Sequence, residues 1–288
     1  MYSIDEIKTV CVCGAGTMGS GIAQVAAQAG FNVIQFDIRD EMLQRSRNLI
    51  DASLGKFVEK EKISEADKKG ILDRISFSSA LSSCKADVII EAIVEDRSAK
   101  AELFNKLAAF NSLETVFLTN TSSISVTAIA EDTSFPTRVM GMHFFNPPQL
   151  MKLVEVVTTK FTGDQLRELV MALAKKMNKT PVICKDAPGF IVNHVARTYY
   201  LEALNLVEKG LAEVQEVDAI LEASGFKMGP FKLMDLIGMD INYAVSQIVW
   251  NDLGKPDRLK PSSLQKEKVD KKELGKKTGK GFYNYAKN

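Results

Sequence analysis

The stretch Gly14-Ala15-Gly16-Thr17-Met18-Gly19 constrains what this chain can fold into more than any other feature. A short β-branched and apolar run, Thr9 to Cys13, precedes it, and a segment rich in Ala and Gln, Thr17 to Ala29, follows. Gly30 breaks that segment, and Phe31 to Phe36 reads as a second strand ending on Asp37. Strand, glycine turn, helix and second strand make a dinucleotide-binding βαβ unit. The glycines serve a tight turn, a close approach of backbone to pyrophosphate, and close helix–strand packing. The helix N-terminus turns N–H groups and a positive dipole end toward the phosphates. Asp37 stands near the ~20-residue spacing of a carboxylate that accepts bonds from the adenosine ribose, which predicts NAD over NADP. Arg39, two residues on, would instead suit a 2′-phosphate.

A chain of 288 residues, 45% hydrophobic, supports a large core and more readily two domains than one. Lys and Arg number 37 against 36 Asp and Glu, a formal charge of +1 with no segregated basic stripe, which argues against a nucleic-acid partner. No run approaches the ~18 apolar residues of a membrane span, and the N-terminus lacks a signal-peptide core, so a cytoplasmic protein is expected. Cys11 and Cys13 point to one face of the first strand and read as small buried hydrophobes. A zinc site needs about four ligands, and no second pair or nearby His accompanies them, so no metal is expected.

Strands and helices alternate through the first part of the chain. Asp40 is placed to cap a long helix through Phe57, and Ser64 to Asp67 resembles a capping box. Ala86 to Ala92 is a near-continuous apolar run, as a sheet covered on both faces requires. Further strands are expected over Val116 to Thr119, Arg138 to Phe144, Leu153 to Val157 and Thr180 to Cys184, with helices over Arg97 to Phe110 and Thr162 to Met177. The pattern predicts an α/β doubly wound sheet. After Lys185-Asp186-Ala187-Pro188-Gly189 only helical periodicity is found, in three groups: Phe190 to Lys209, stopped by Gly210; Val214 to Ala223, stopped by Gly225; and Pro230 to Leu253, with a break expected at Gly238. The expected domains are therefore residues 1–186, Rossmann-type, and 187–288, all-α.

The chain has two histidines, His143 and His194. His143 falls at the carboxyl end of an expected strand, where ligands bind in open α/β sheets. Glu155 interrupts the apolar run Leu153-Val154-Glu155-Val156-Val157, and a carboxylate there needs a partner. A His–Glu dyad accounts for both, the acid orienting the ring while the imidazole moves a proton. An edge strand that turns Glu155 to water is the competing reading.

Gly14 to Gly19, Asn120-Thr121-Ser122-Ser123, Met142 to Pro147, Met151 to Val156, Ala187 to Asn193 and Lys277 to Tyr283 run in order along essentially the whole chain. In this the sequence resembles the single-function L-3-hydroxyacyl-CoA dehydrogenases, the bacterial 3-hydroxybutyryl-CoA dehydrogenases above all. The resemblance implies an NAD-binding domain, a helical domain that dimerises, and a substrate cleft between them. It implies an acyl-CoA substrate, His143 as acid/base with Glu155 as its partner, and Ser122 and Asn193 bonding the substrate oxygen. Glu95, Lys100, Asn120, Asn146 and Lys277 match positions that line the cofactor. Ser53, Lys56 and Lys60 match a helix that meets coenzyme A, although interleaved Glu59 and Glu61 also suit a solvated face. The sequence departs from the pattern at His194, where Arg is common, and at Lys232, where Glu is expected. A dehydrogenase of a free hydroxy or sugar acid, or a non-catalytic NAD-binding protein, is the alternative. Retention of Ser122, His143, Glu155 and Asn193 together argues against the second.

Overall fold

In the computed structural model, which describes residues 3–285, the alternating segments assemble one eight-stranded sheet. The strands are β1 (Thr9–Cys13), β2 (Asn32–Phe36), β3 (Ile75–Ser78), β4 (Val88–Glu91), β5 (Val116–Thr119), β6 (Val139–Phe144), β7 (Leu153–Thr158) and β8 (Thr180–Lys185). Their order is β3-β2-β1-β4-β5-β6-β7-β8, and every neighbouring pair is parallel except the antiparallel β6–β7. The order reverses about β1 and β4, so the crevice beyond their carboxyl ends is where a doubly wound sheet takes its ligand.

Alternate residues of each strand feed opposite layers. Val10, Val12, Val88, Ile90 and Leu118 join one apolar cluster; Cys11, Cys13, Ile89 and Phe117 join the other. The first layer is completed by α1 (Thr17–Gln28), α2 (Asp40–Glu59) and α3 (Glu65–Asp73) through Ile22, Ile50, Leu54 and Ile71. α4 (Arg97–Ala108) and α5 (Val126–Glu131) complete the second through Phe104, Leu107 and Ile129, and α6 (Asp164–Lys176) returns to the first through Leu166 and Val170. Each such aliphatic side chain, fully buried, is worth roughly 1.5–3 kcal/mol of transfer free energy, which is why strands covered on both faces lose their polar alternation. The thiols of Cys11 and Cys13 lie 3.8 Å apart in the second layer as free, buried groups.

One local expectation changes, and one helix appears that was not expected. Asp40 is the first residue of α2 and makes no cap bond; the N-cap is Arg39. The helix α5 follows Ser125, whose side chain accepts the Ala128 N–H. The box at Ser64 does form, the hydroxyl taking the Asp67 N–H while the Asp67 carboxylate takes the Ser64 N–H.

The chain divides into two compact units, Met1–Asp186 and Ala187–Asn288. The second unit holds α7 (Val192–Glu208), α8 (Val214–Ala223), α9 (Pro230–Ile237), α10 (Met239–Asp252) and α11 (Ser263–Asp270) around Tyr200, Leu204, Val217, Phe231, Met234 and Met239. Gly238, at φ 104°, separates α9 from α10. Two buried carboxylates tie the unit together. Asp218 accepts the Phe231 and Lys232 N–H groups that open α9 and the Tyr283 hydroxyl; Asp235 accepts the N–H groups of Phe282 and Tyr283. No helix among the described residues is long and apolar enough to cross a membrane.

Candidate active site

The loop between β1 and α1 has the shape of a phosphate cradle. Gly14 stands at φ +102°, and a Cβ there would lie 2.4 Å from the Ala92 carbonyl oxygen. A Cβ on Gly19 would lie 1.8 Å from the Gly14 carbonyl oxygen. Gly16 is the opposite case, since a Cβ there would meet no atom within 4 Å. The loop is thus closed toward the sheet and open at Gly16. Gly16 is also the N-cap of α1, with no side-chain cap bond and no acid in the first turn, so the helix end stays available to an anion. Asp37 lies beside this loop and accepts the Ala15 N–H at 2.8 Å and the Arg39 N–H at 3.1 Å. Gln35, fully buried on β2, donates to the Gly14 carbonyl at 2.7 Å and was not apparent as a support from the sequence. Thr17 and Met18 lie on the first turn of α1.

The β6–β7 register sets His143 directly opposite Glu155. β7 lies inside the sheet, so Glu155 is 1% exposed and the edge-strand reading fails. His143 Nδ1 and Glu155 Oε2 are 2.7 Å apart. An ionised carboxylate only accepts, so Nδ1 carries the hydrogen and donates it. That fixes the tautomer and leaves Nε2 as the nitrogen for proton exchange. The Phe145 ring packs on the imidazole with centroids 4.6 Å apart.

The loop after β5 joins these two regions. The Asn120 N–H donates to the Glu91 carbonyl at 2.8 Å, and Asn120 Oδ1 accepts the Phe144 N–H at 2.8 Å, one residue beyond His143. Glu95 accepts the Thr121 hydroxyl at 2.5 Å, the Ser122 N–H at 3.1 Å and the Ser123 hydroxyl at 3.0 Å. Burial opposes the charge on Glu95, but the Lys100 ammonium and the donated bonds hold its carboxyl below the usual range. Lys100 is 1% exposed, bound to Glu95 at 3.1 Å and to Glu91 at 2.7 Å.

Asn146 precedes Pro147 through a cis peptide bond. The segment after it is held by Lys179, whose Nζ donates to the carbonyls of Pro148 and Met151. Burial, with Lys152 adding to it, pushes this lysine down to about 8. Neither Glu91 nor Lys179 was apparent from the sequence.

The remaining predicted residues are carried by other elements. Ser53 and Lys56 occupy the last turns of α2 and Lys60 its C-cap, the two lysines exposed. In the helical unit, Asn193 sits in the first turn of α7, and Lys277 pairs with Asp240 through both carboxylate oxygens. His194 Nδ1 lies 3.2 Å from the Pro188 carbonyl oxygen, and Lys232 forks onto Glu222 at 2.8 and 2.9 Å.

A doubly wound sheet with an anion cradle at its first crossover and a buried His–Glu pair on a neighbouring strand pair defines the framework of a dinucleotide-dependent dehydrogenase. Residues 9–187 match the family model for the 3-hydroxyacyl-CoA dehydrogenase NAD binding domain, and residues 189–285 that for the 3-hydroxyacyl-CoA dehydrogenase C-terminal domain. The chain belongs to the 3-hydroxyacyl-CoA dehydrogenase family, and its cofactor is NAD. It is 41% identical to the protein named "Probable 3-hydroxybutyryl-CoA dehydrogenase" of Deinococcus radiodurans, over 95% of this chain and 99% of that one. It is 40% identical to the mitochondrial hydroxyacyl-coenzyme A dehydrogenase of Sus scrofa, over 97% of this chain and 91% of that one. The crystal structure of (S)-3-hydroxybutyryl-CoA dehydrogenase from Ralstonia eutropha superposes with a TM-score of 0.93 at 37% identity, covering 98% of this chain and 100% of that one.

Proposed function

We propose that this enzyme interconverts (S)-3-hydroxyacyl-CoA thioesters, of the 3-hydroxybutyryl-CoA class, with 3-oxoacyl-CoA. The observation that carries the reading is the buried 2.7 Å bond between His143 and Glu155. NAD, when bound, supplies the hydride-accepting ring of the reaction. In the oxidative direction His143 takes the substrate hydroxyl proton at Nε2 as the hydride leaves C3. Glu155 holds the ring in one tautomer and stabilises the imidazolium that results. Ser122 and Asn193 bond the substrate oxygen, the role that the sequence resemblance implies for both. Gly14, Gly16 and Gly19, with the first turn of α1, hold the pyrophosphate, and Asp37 the adenosine ribose. Glu95, Lys100, Asn120, Asn146 and Lys277 complete the cofactor's surroundings.

Coenzyme A is assigned to the far end of α2. Ser53, Lys56 and Lys60 fall on neighbouring turns there, and lysine ammonium groups suit phosphate as exposed point charges. One absorbance experiment tests both the thioester and the helix. Acetoacetyl-CoA should be reduced by NADH far faster than free acetoacetate. The Lys56→Ala/Lys60→Ala variant should raise KM for acetoacetyl-CoA about fivefold at low salt, less at high salt, with KM for NADH unchanged. Equal rates on the free acid would reassign the substrate; an unmoved KM would return α2 to a solvated face.

The protein is also read as a cytoplasmic homodimer joined through its helical unit. That unit exposes Leu206, Ile220, Phe226, Leu236 and Ile241. Apolar side chains in that number suit a partner chain, and a symmetric pair is the commonest solution. A solution mass of one chain at micromolar concentration, with full activity, would remove this assignment.

A further inference from the structure

Glu91 ends β4 with its side chain fully buried, and the chemistry above gives it no part. A carboxylate survives in a sheet interior only when its oxygens are answered. Here Oε1 accepts Lys100 Nζ and the Ile93 N–H, both at 2.7 Å, and Oε2 accepts the Thr119 hydroxyl at 2.7 Å. Burial still pushes its carboxyl up against the pull of Lys100. Lys100 reaches on to Glu95 at 3.1 Å, and Glu95 takes the Ser122 N–H and the hydroxyls on either side of it. One buried ammonium thus serves two carboxylates, and the second of them holds the backbone of Ser122.

We propose that Glu91 is a positioning residue for the reaction. By fixing Lys100 it fixes Glu95, and through Glu95 the turn that presents Ser122. The proposal rests on the reading of Ser122 as a partner of the substrate oxygen. Its mounting suits the task. β4 lies between β1 and β5, so Glu91 stands on the sheet's interior rather than on a loop. The Glu91 carbonyl accepts the Asn120 N–H, and the next residue, Ala92, closes against Gly14. The cradle loop and the Ser122 turn therefore take their positions from the same strand end.

The charge matters as well as the shape. With Glu91 neutral, the ammonium would act on Glu95 alone and draw that carboxylate toward α4, away from residues 121–123. The Coulomb pull of a buried ammonium on a half-buried carboxylate 3.1 Å away is large enough to move a side chain on a turn. Glu95 is the mobile partner because its side chain is 38% exposed, against 1% for Lys100.

The test is Glu91→Gln, which keeps the shape and removes the charge. With acetoacetyl-CoA and NADH, kcat per folded enzyme should fall about tenfold, since misplacement by a fraction of an ångström carries losses of this order. The primary isotope effect with 4-deuterated NADH should rise, and NADH affinity should change less than kcat does. Glu95→Gln should also lower kcat, with a loss of NADH affinity of its own because it lies beside the cofactor, and at saturating NADH the double variant should be no slower than Glu95→Gln alone, because the two act in series. Unchanged kcat per folded enzyme, or losses that multiply in the double variant, would overturn the proposal. If Glu91→Gln does not fold, Glu91→Asp, which keeps the charge but shortens its reach to Lys100, is read by the same kcat per folded enzyme. Ser122→Ala serves as the control. Normal turnover in that variant sinks the reading of Ser122, whereas a slow Ser122→Ala beside a normal Glu91→Gln sinks only the relay.

Discussion

Replacing His143 by glutamine should lower kcat by roughly 10²–10⁴-fold, the range that a positioned acid–base group contributes. Glutamine is the informative replacement. Glu155 is buried at 1% exposure and is answered at 2.7 Å by His143. Alanine would withdraw that donor, and losing a hydrogen bond to a buried carboxylate costs about 1.5–3 kcal/mol of stability. The glutamine amide can still donate to Glu155 but has no basic nitrogen to take a proton. Binding of NADH, followed by fluorescence, should survive in the variant, because the cradle lies on β1 and α1 rather than on β6. Glu155→Gln should slow turnover less, since the ring keeps its proton-accepting nitrogen and loses the charge that orients it and stabilises its protonated form. Turnover near the parent value in His143→Gln would remove His143 from the proton path.

The His143–Glu155 bond was legible because two anomalies pointed at each other. A histidine at a strand end and a carboxylate inside an apolar strand, 12 residues apart, are each costly alone. The register supplies what periodicity cannot, namely that the two residues face each other across an antiparallel pair. The doubly wound sheet was legible for a similar reason: apolar strands alternating with helices leave few other ways to bury both faces. Glu91 stayed hidden although its residue type was in plain view at the end of Ala86 to Ala92. Its partner lies nine residues on, and the groups that the network serves lie a further loop away, so no local pattern marks them. Lys179 stayed hidden among other lysines near a helix end, because its function lies in two carbonyls about 30 residues earlier. Short elements were lost to composition. α5 is six residues long and holds a Thr among small side chains, and α11 lies in a Lys-rich stretch that reads as a tail. Its capping box, Ser262 with Gln265, was the signal that could have revealed it.

The three loop glycines should respond differently to a side chain, and the difference tests the cradle itself. At Gly14 and Gly19 an added Cβ would fall 2.4 and 1.8 Å from backbone oxygens, so any substitution there reshapes the loop and lowers stability together with cofactor binding. At Gly16 the same Cβ meets nothing within 4 Å, and φ is −70°, a value open to any residue. Gly16→Asp should therefore fold with a Tm close to the parent's. Aspartate is a good N-cap, so the α1 terminus should, if anything, gain. Yet the side chain enters the one open side of the loop, where the backbone must approach the pyrophosphate, and adds a negative charge beside it. Affinity for NADH, read by fluorescence titration, should fall by roughly 100-fold, a loss of about 2.7 kcal/mol. Gly16→Ala, smaller and uncharged, should lose less, and raised salt should recover part of the aspartate variant's loss by screening its charge. A stable Gly16→Asp protein that binds NADH as tightly as the parent would place the dinucleotide away from the N-terminus of α1.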